Sequence, residues 1–212
     1  MIIIKKSKII WIFSIFIFIG AVVGVSFYLG SRSSQDSDQA NHPAEHHEGQ
    51  SVYEDKFNTL MGQGAPDFEL YSYNGEKIRL QEQRGKKVVL FFTEGVMCYP
   101  SCWNQIAAFG KDETFKKEDT IVFSIVVDTK NEWDKAIKKM PELGSTTVLF
   151  DSSKKISNEY GVLSLSSSMH KGQFPGHTYL VLDKEGIVRF IKDDPQMAVR
   201  NDELKAELEK LN

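Results

Sequence analysis

The spacing of hydrophobic positions changes several times along the chain, and each change marks an element. From Asp67 to Leu80 apolar and polar residues alternate on either side of Asn74-Gly75. Period-two alternation belongs to a strand with one wet face, and Asn-Gly between two such runs predicts a two-residue hairpin. Lys87 to Phe92 is instead almost continuously apolar, as in a central strand covered on both faces. From about Tyr99 the spacing becomes helical, with Trp103, Ile106, Ala107 and Phe109 on one face. Thr120 to Val127 predicts a second buried strand ending at Asp128, and an amphipathic helix with Trp133, Ile137 and Met140 follows it and stops at Pro141. A short strand (Thr147 to Phe150), a short helix (Lys154 to Tyr160), two strands (Thr178 to Leu182, Ile187 to Ile191) around the turn Asp183-Lys184-Glu185-Gly186, and a last helix (Asp202 to Leu211) complete the pattern. The order hairpin, β, α, β, α, β, α, β, β, α predicts an α/β domain over 56–212, with a mixed central sheet, helices on both faces and an N-terminal β-hairpin.

A different pattern precedes that domain. Lys5, Lys6 and Lys8 are followed by a stretch from Ile9 to Gly30 with no charged residue before Arg32. That length spans a bilayer. The bulky exit Ser26-Phe27-Tyr28-Leu29 lacks a small-x-small cleavage site, so residues 1–30 are expected to be an uncleaved membrane anchor whose one transmembrane helix is Ile9 to Gly30, with cleavage after Gly24 or Gly30 as the alternative. Basic residues before the span stay cytoplasmic, which puts the domain on the extracytoplasmic side of the cell membrane. Residues 31–55 are polar and poor in large apolar side chains, and are expected to be a flexible tether. They hold His42, His46 and His47, a tract expected to be solvated linker rather than a metal site.

With 26 basic and 29 acidic residues and a net charge of -3, the chain has no basic surplus for nucleic acid. The chemistry concentrates in one window. The chain's two cysteines are Cys98 and Cys102, in Cys98-Tyr99-Pro100-Ser101-Cys102-Trp103, where the central strand hands over to a helix. Unpaired N–H groups and the positive end of the helix dipole favour a thiolate there, so Cys98 is expected to be the more reactive thiol. Cys102 lies one helical turn on. On helical geometry the two Cα atoms would be about 6 Å apart, within reach of a disulfide. The pair can therefore cycle between dithiol and disulfide, offer two soft sulfurs to a metal such as Cu(I), or be purely structural, although a bridge closing so short a loop adds little by chain entropy.

Ala65-Pro66-Asp67-Phe68, the strand and loop leading to Cys98, Tyr160-Gly161-Val162-Leu163, and the run from Tyr179 to Arg189 together resemble the thioredoxin-fold redoxins. Over residues 60–200 they resemble most the peroxiredoxin family of alkyl hydroperoxide reductase and thiol-specific antioxidant proteins. The resemblance implies a thioredoxin-like fold and thiol-dependent oxidoreductase activity without a cofactor. Cys98 would attack a peroxide or disulfide substrate, Cys102 would resolve the product, and a thiol reductant would restore the pair. Peroxiredoxins place the attacking cysteine in Pro-x-x-x-Thr-x-x-Cys and an arginine before a later strand. Here Phe91, Gly95 and His177 stand at the Pro, Thr and Arg positions, so peroxidase activity is the less secured part of the implication. The resemblance puts His177 close to Cys98, as a third site residue that stabilises its thiolate or acts as base. Cys98, Cys102 and His177 also resemble, in type and order, the site of the membrane-anchored Sco copper chaperones, with Trp103 where a proline usually follows the second cysteine. That likeness implies copper held by these three residues as the alternative. A plain thioredoxin-fold binding module is the third possibility. Glu94, Met169 and His170 are expected to be exposed loop residues, and Tyr99 and Trp103 to pack around the site.

Overall fold

The structure, a computed structural model, describes residues 55–211. The expected anchor, the tether and its histidines lie outside these residues, and among the described residues no helix is long and apolar enough to cross a membrane.

Seven strands form one mixed sheet in the order β2-β1-β5-β4-β3-β6-β7. They are β1 (Glu69–Ser72), β2 (Lys77–Arg79), β3 (Lys87–Phe92), β4 (Thr120–Val126), β5 (Thr147–Phe150), β6 (Thr178–Leu182) and β7 (Val188–Asp193). Among the described residues, the helices that bear on the site are α1 (Ser101–Lys111), α2 (Lys130–Lys139), α3 (Lys155–Glu159) and α4 (Asn201–Glu209). β3 lies inside the sheet, parallel to β4 and antiparallel to β6. All of its residues are buried, which is why its sequence does not alternate. Its side chains still divide by parity. Val88, Leu90 and Phe92 join a core with Phe57, Leu60, Phe68, Ile156 and Tyr160. Val89 and Phe91 face Trp103, Ile106 and Phe109 of α1, Trp133 of α2, and Leu204 and Leu208 of α4. Helices thus cover both faces, three on one and α3, with the stretch that carries Phe57 and Leu60, on the other.

Two boundaries differ from expectation for local reasons. The β1–β2 hairpin turns through three residues, because Gly75 N donates to Ser72 O and Ser72 N to Glu76 O. Gly75 takes φ +83°, the left-handed position that such a turn needs and glycine adopts at no steric cost. β7 starts at Val188 because Ile187 bridges to Gly64 while the β6–β7 ladder bulges at Val181/Leu182. Asp183 ties that turn by accepting from the Glu185 and Ile187 amides and from Arg189 Nε.

Candidate active site

The site assembles at the end of β3. Beyond Phe92 the chain makes a 3-10 turn over Gly95–Met97, passes Cys98 and enters α1. Pro100 occupies the N-cap of α1. Cys98 lies ahead of the helix, and Cys102 is in its first turn, its amide donating to Cys98 O at 3.0 Å. The two are joined as a disulfide with Cα atoms 5.4 Å apart, closer than helical geometry would set them because Cys98 is not helical. Both cysteines are buried, at 2% and 0% exposure.

The turn before Cys98 is gripped from two sides. Trp103 Nε1 donates to Gly95 O at 3.1 Å, and Val96 N donates to Asp128 Oδ2 at 3.0 Å. Gly95 has φ +62°, and a Cβ on it would stand 1.7 Å from Asp128 Oδ2. A side chain at this position therefore has no room. Burial pushes the Asp128 carboxyl up to about 7, against the amide hydrogen bond from Val96, which lowers it.

His177 comes from the segment entering β6. The register sets Thr178 opposite Phe92, which carries His177 past the end of the ladder to the cysteines. Its ring is fully buried, edge-on to Phe91 at 4.7 Å. Nδ1 lies 3.4 Å from Cys102 Sγ, and Cys98 Sγ is within 4.8 Å of the ring's ligand atom, so His177 stands near Cys98 as expected, with Cys102 carrying the sulfur it contacts. Nε2 lies 2.6 Å from the Tyr179 hydroxyl and 3.2 Å from Ala198 O. Desolvation holds the imidazole down at about 4, only partly opposed by the Asp194 carboxylate. At neutral pH the ring is uncharged and can serve as a base. Asp194 is itself held below the usual carboxylate range by the Arg200 guanidinium, which it binds through both oxygens at 2.7 Å, despite burial pulling the other way.

Glu94, expected on the surface, is fully buried. Its Oε1 accepts from the Met169 and His170 amides at 2.6 and 3.1 Å, and its Oε2 lies 3.0 Å from His170 Nδ1. A buried carboxylate persists only with such partners. They come from a loop more than seventy positions away, so chain-local reasoning could not find them. His170 is half-exposed and pairs with Glu94, and Met169 is 59% exposed. Trp103 packs as expected, whereas Tyr99 is 70% exposed with its ring against Trp103. Sequence reasoning also missed Gln105 and Tyr179, both fully buried. The available signal was a glutamine beside the apolar stripe of α1. The ligand atoms of Cys98, Cys102 and His177 lie within 4.8 Å of one another, so the reduced site would suit a soft metal ion.

A disulfide-bonded cysteine pair at the mouth of a helix, on this sheet and beside a buried imidazole, marks a thioredoxin-like redoxin. The family model described as AhpC/TSA family matches residues 61–191, and the chain belongs to that family. Among curated relatives it is 35% identical over 131 residues to "Peroxiredoxin Q, chloroplastic" of Populus jackii, a match covering 61% of this chain and 58% of that one. It is 29% identical over 146 residues to "Peroxiredoxin Bcp" of Bacillus subtilis (strain 168), covering 66% and 88%. The chain therefore spans well under two thirds of the chloroplastic relative and most of the bacillar one. Similar solved structures include a peroxiredoxin-like protein from Aquifex aeolicus, with TM-score 0.60 at 18% identity over 72% of this chain and 87% of that one. Mycobacterium tuberculosis AhpC scores 0.60 at 20% identity, over 71% and 92%. At these identities the structures speak to the fold.

Proposed function

We propose that the protein is a peroxiredoxin-like thiol-disulfide oxidoreductase, tethered to the cell membrane by residues 9–30 with its domain on the extracytoplasmic side. The observation that carries the activity is the Cys98–Cys102 bridge at the mouth of α1, with the His177 imidazole 3.4 Å from Cys102 Sγ. Cys98 attacks a disulfide or a peroxide, Cys102 displaces the product and closes the bridge, and an external thiol reopens it. Each turn moves two electrons from the dithiol to the substrate. The geometry favours a disulfide over a peroxide, because Gly95, pressed on Asp128, supplies no hydroxyl and the uncharged His177 replaces a guanidinium. The tether rests on the uncharged Ile9 to Gly30 stretch behind three lysines.

Copper handling is a second proposal, supported by the three converging ligand atoms. One experiment separates the two. The reduced chain is given a model disulfide, hydrogen peroxide and copper in parallel. Thiol turnover faster with the disulfide than with peroxide is expected. One tightly held copper per chain with no turnover on either substrate would sink the oxidoreductase proposal.

A further inference from the structure

The polar atoms behind His177 form a chain whose direction is fixed at its far end. Asn201 Nδ2 lies 3.0 Å from Ala108 O, and a carbonyl only accepts. Asn201 Oδ1 therefore faces α1, where it accepts from Gln105 Nε2 at 2.9 Å. That leaves Gln105 Oε1 toward the Arg200 amide, which only donates, at 2.7 Å. Both ends of the Gln105 amide are thus determined by partners that allow one orientation.

The Tyr179 hydroxyl is 2.9 Å from the same Gln105 Oε1 and 3.4 Å from Ala198 O, and both are acceptors. Its single proton goes to Gln105, and its lone pairs remain for His177 Nε2 at 2.6 Å. Ala198 O, 3.2 Å from Nε2, also accepts. Were Nε2 bare, the hydroxyl would have to turn its proton away from Gln105, and Ala198 O, which only accepts, would face a lone pair at 3.2 Å; with Nε2 carrying the ring proton every one of these contacts has a donor, which leaves Nδ1 bare. Nδ1 is the atom that faces Cys102 Sγ. Tyr179 stacks on Phe91 at 4.8 Å, and both are fully buried, so the hydroxyl is held where the ring needs it.

We infer that Tyr179 and Gln105 are positioning residues that hold His177 as the tautomer whose bare Nδ1 takes the proton of Cys102, so that the imidazole serves the second, resolving thiol. This inference rests on the oxidoreductase activity proposed above. With substrate R–S held on Cys98 as a mixed disulfide, Nδ1 takes the Cys102 proton as the Cys102 sulfur attacks Cys98 Sγ, so that no free thiolate has to form first. The Cys98–S–R bond breaks with its electron pair on the departing sulfur, which then takes the proton from Nδ1. One Cys98–S–S–R and one Cys102 thiol become the Cys98–Cys102 disulfide and one R–SH, with no further oxidant. When the substrate is a peroxide, the leaving group is the sulfenic hydroxide and the product is water.

The test uses the full chain in detergent. Nitrogen-15 spectra of the oxidised protein should show His177 with Nε2 protonated and Nδ1 bare. Reduced protein mixed with an aromatic disulfide such as 5,5′-dithiobis(2-nitrobenzoate) releases one coloured thiolate when Cys98 attacks and a second when Cys102 resolves. Tyr179→Phe keeps the stacked ring and removes the hydroxyl. It should mix the two His177 tautomers and slow the second release by at least about tenfold, within the range of general-base effects, while sparing the first. Gln105→Leu should act alike. A protonated Nδ1 in the wild-type chain, or an unchanged second release in Tyr179→Phe, would overturn the inference, as would equal slowing of both releases. A wild-type chain showing the expected spectrum but releasing no second thiolate would instead refute the oxidoreductase proposal.

Discussion

His177 is uncharged because burying an imidazolium without a carboxylate in direct contact costs more than the distant Asp194 returns. The same cause ties it to acid stability. Its pKa is about 4 in the fold against an ordinary 6.5, so on acidification the unfolded chain takes up this proton first. The contribution is complete above about pH 6.5 and is lost as pH falls toward 4. At about 1.4 kcal/mol per pH unit of separation, the oxidised wild type should lose roughly 2–3 kcal/mol more than His177→Gln between pH 7.5 and 4.5, as read from urea midpoints. Equal losses in the two proteins would mean that His177 is charged, or exposed, in the fold. Cys102 and Cys98 differ at this scale too. Only Cys102 has the imidazole within 3.4 Å, whereas Cys98 relies on its place ahead of α1.

At the scale of elements, the strands were legible because their apolar runs follow directly from burial on both faces. β3, β5 and β6 fall where the pattern placed them, and α2 ends before Pro141 with its start secured by the Thr129–Glu132 capping box. The hairpin loop was off by one residue, because Asn-Gly serves both two-residue and three-residue turns and the choice lies in the pairing of Ser72 with Glu76. The environment of Glu94 and the Gln105–Tyr179 chain were not legible, since each joins segments far apart in sequence and neither has a local pattern. The element that carries the location proposal is the uncharged stretch from Ile9 to Gly30. Protease added to intact cells stripped of their wall should digest the domain and leave the span, as positive residues retained inside predict. A domain that survives intact would reverse the orientation or refute the anchor.

The whole molecule explains why two cysteines and a histidine so distant in sequence form one site. The parallel β3–β4 pair is connected through α1, which fixes Cys98 and Cys102 at one end of the sheet. β6 runs antiparallel to β3, so the residue entering it, His177, arrives at that same end. α4 then closes the far side, with Leu204 and Leu208 in the core and Asn201 on Gln105. On this account the order of events is built in: Cys98 captures, and Cys102, served by His177, releases. The most direct test treats reduced Cys102→Ser, Cys98→Ser and wild-type chains with an aromatic disulfide and weighs the products intact under non-reducing conditions. Cys102→Ser should stop with one adduct on Cys98, Cys98→Ser should take up little, and the wild type should close the Cys98–Cys102 bridge and carry no adduct. An adduct formed on Cys102 of Cys98→Ser as fast as on Cys98 of Cys102→Ser would contradict the assigned order.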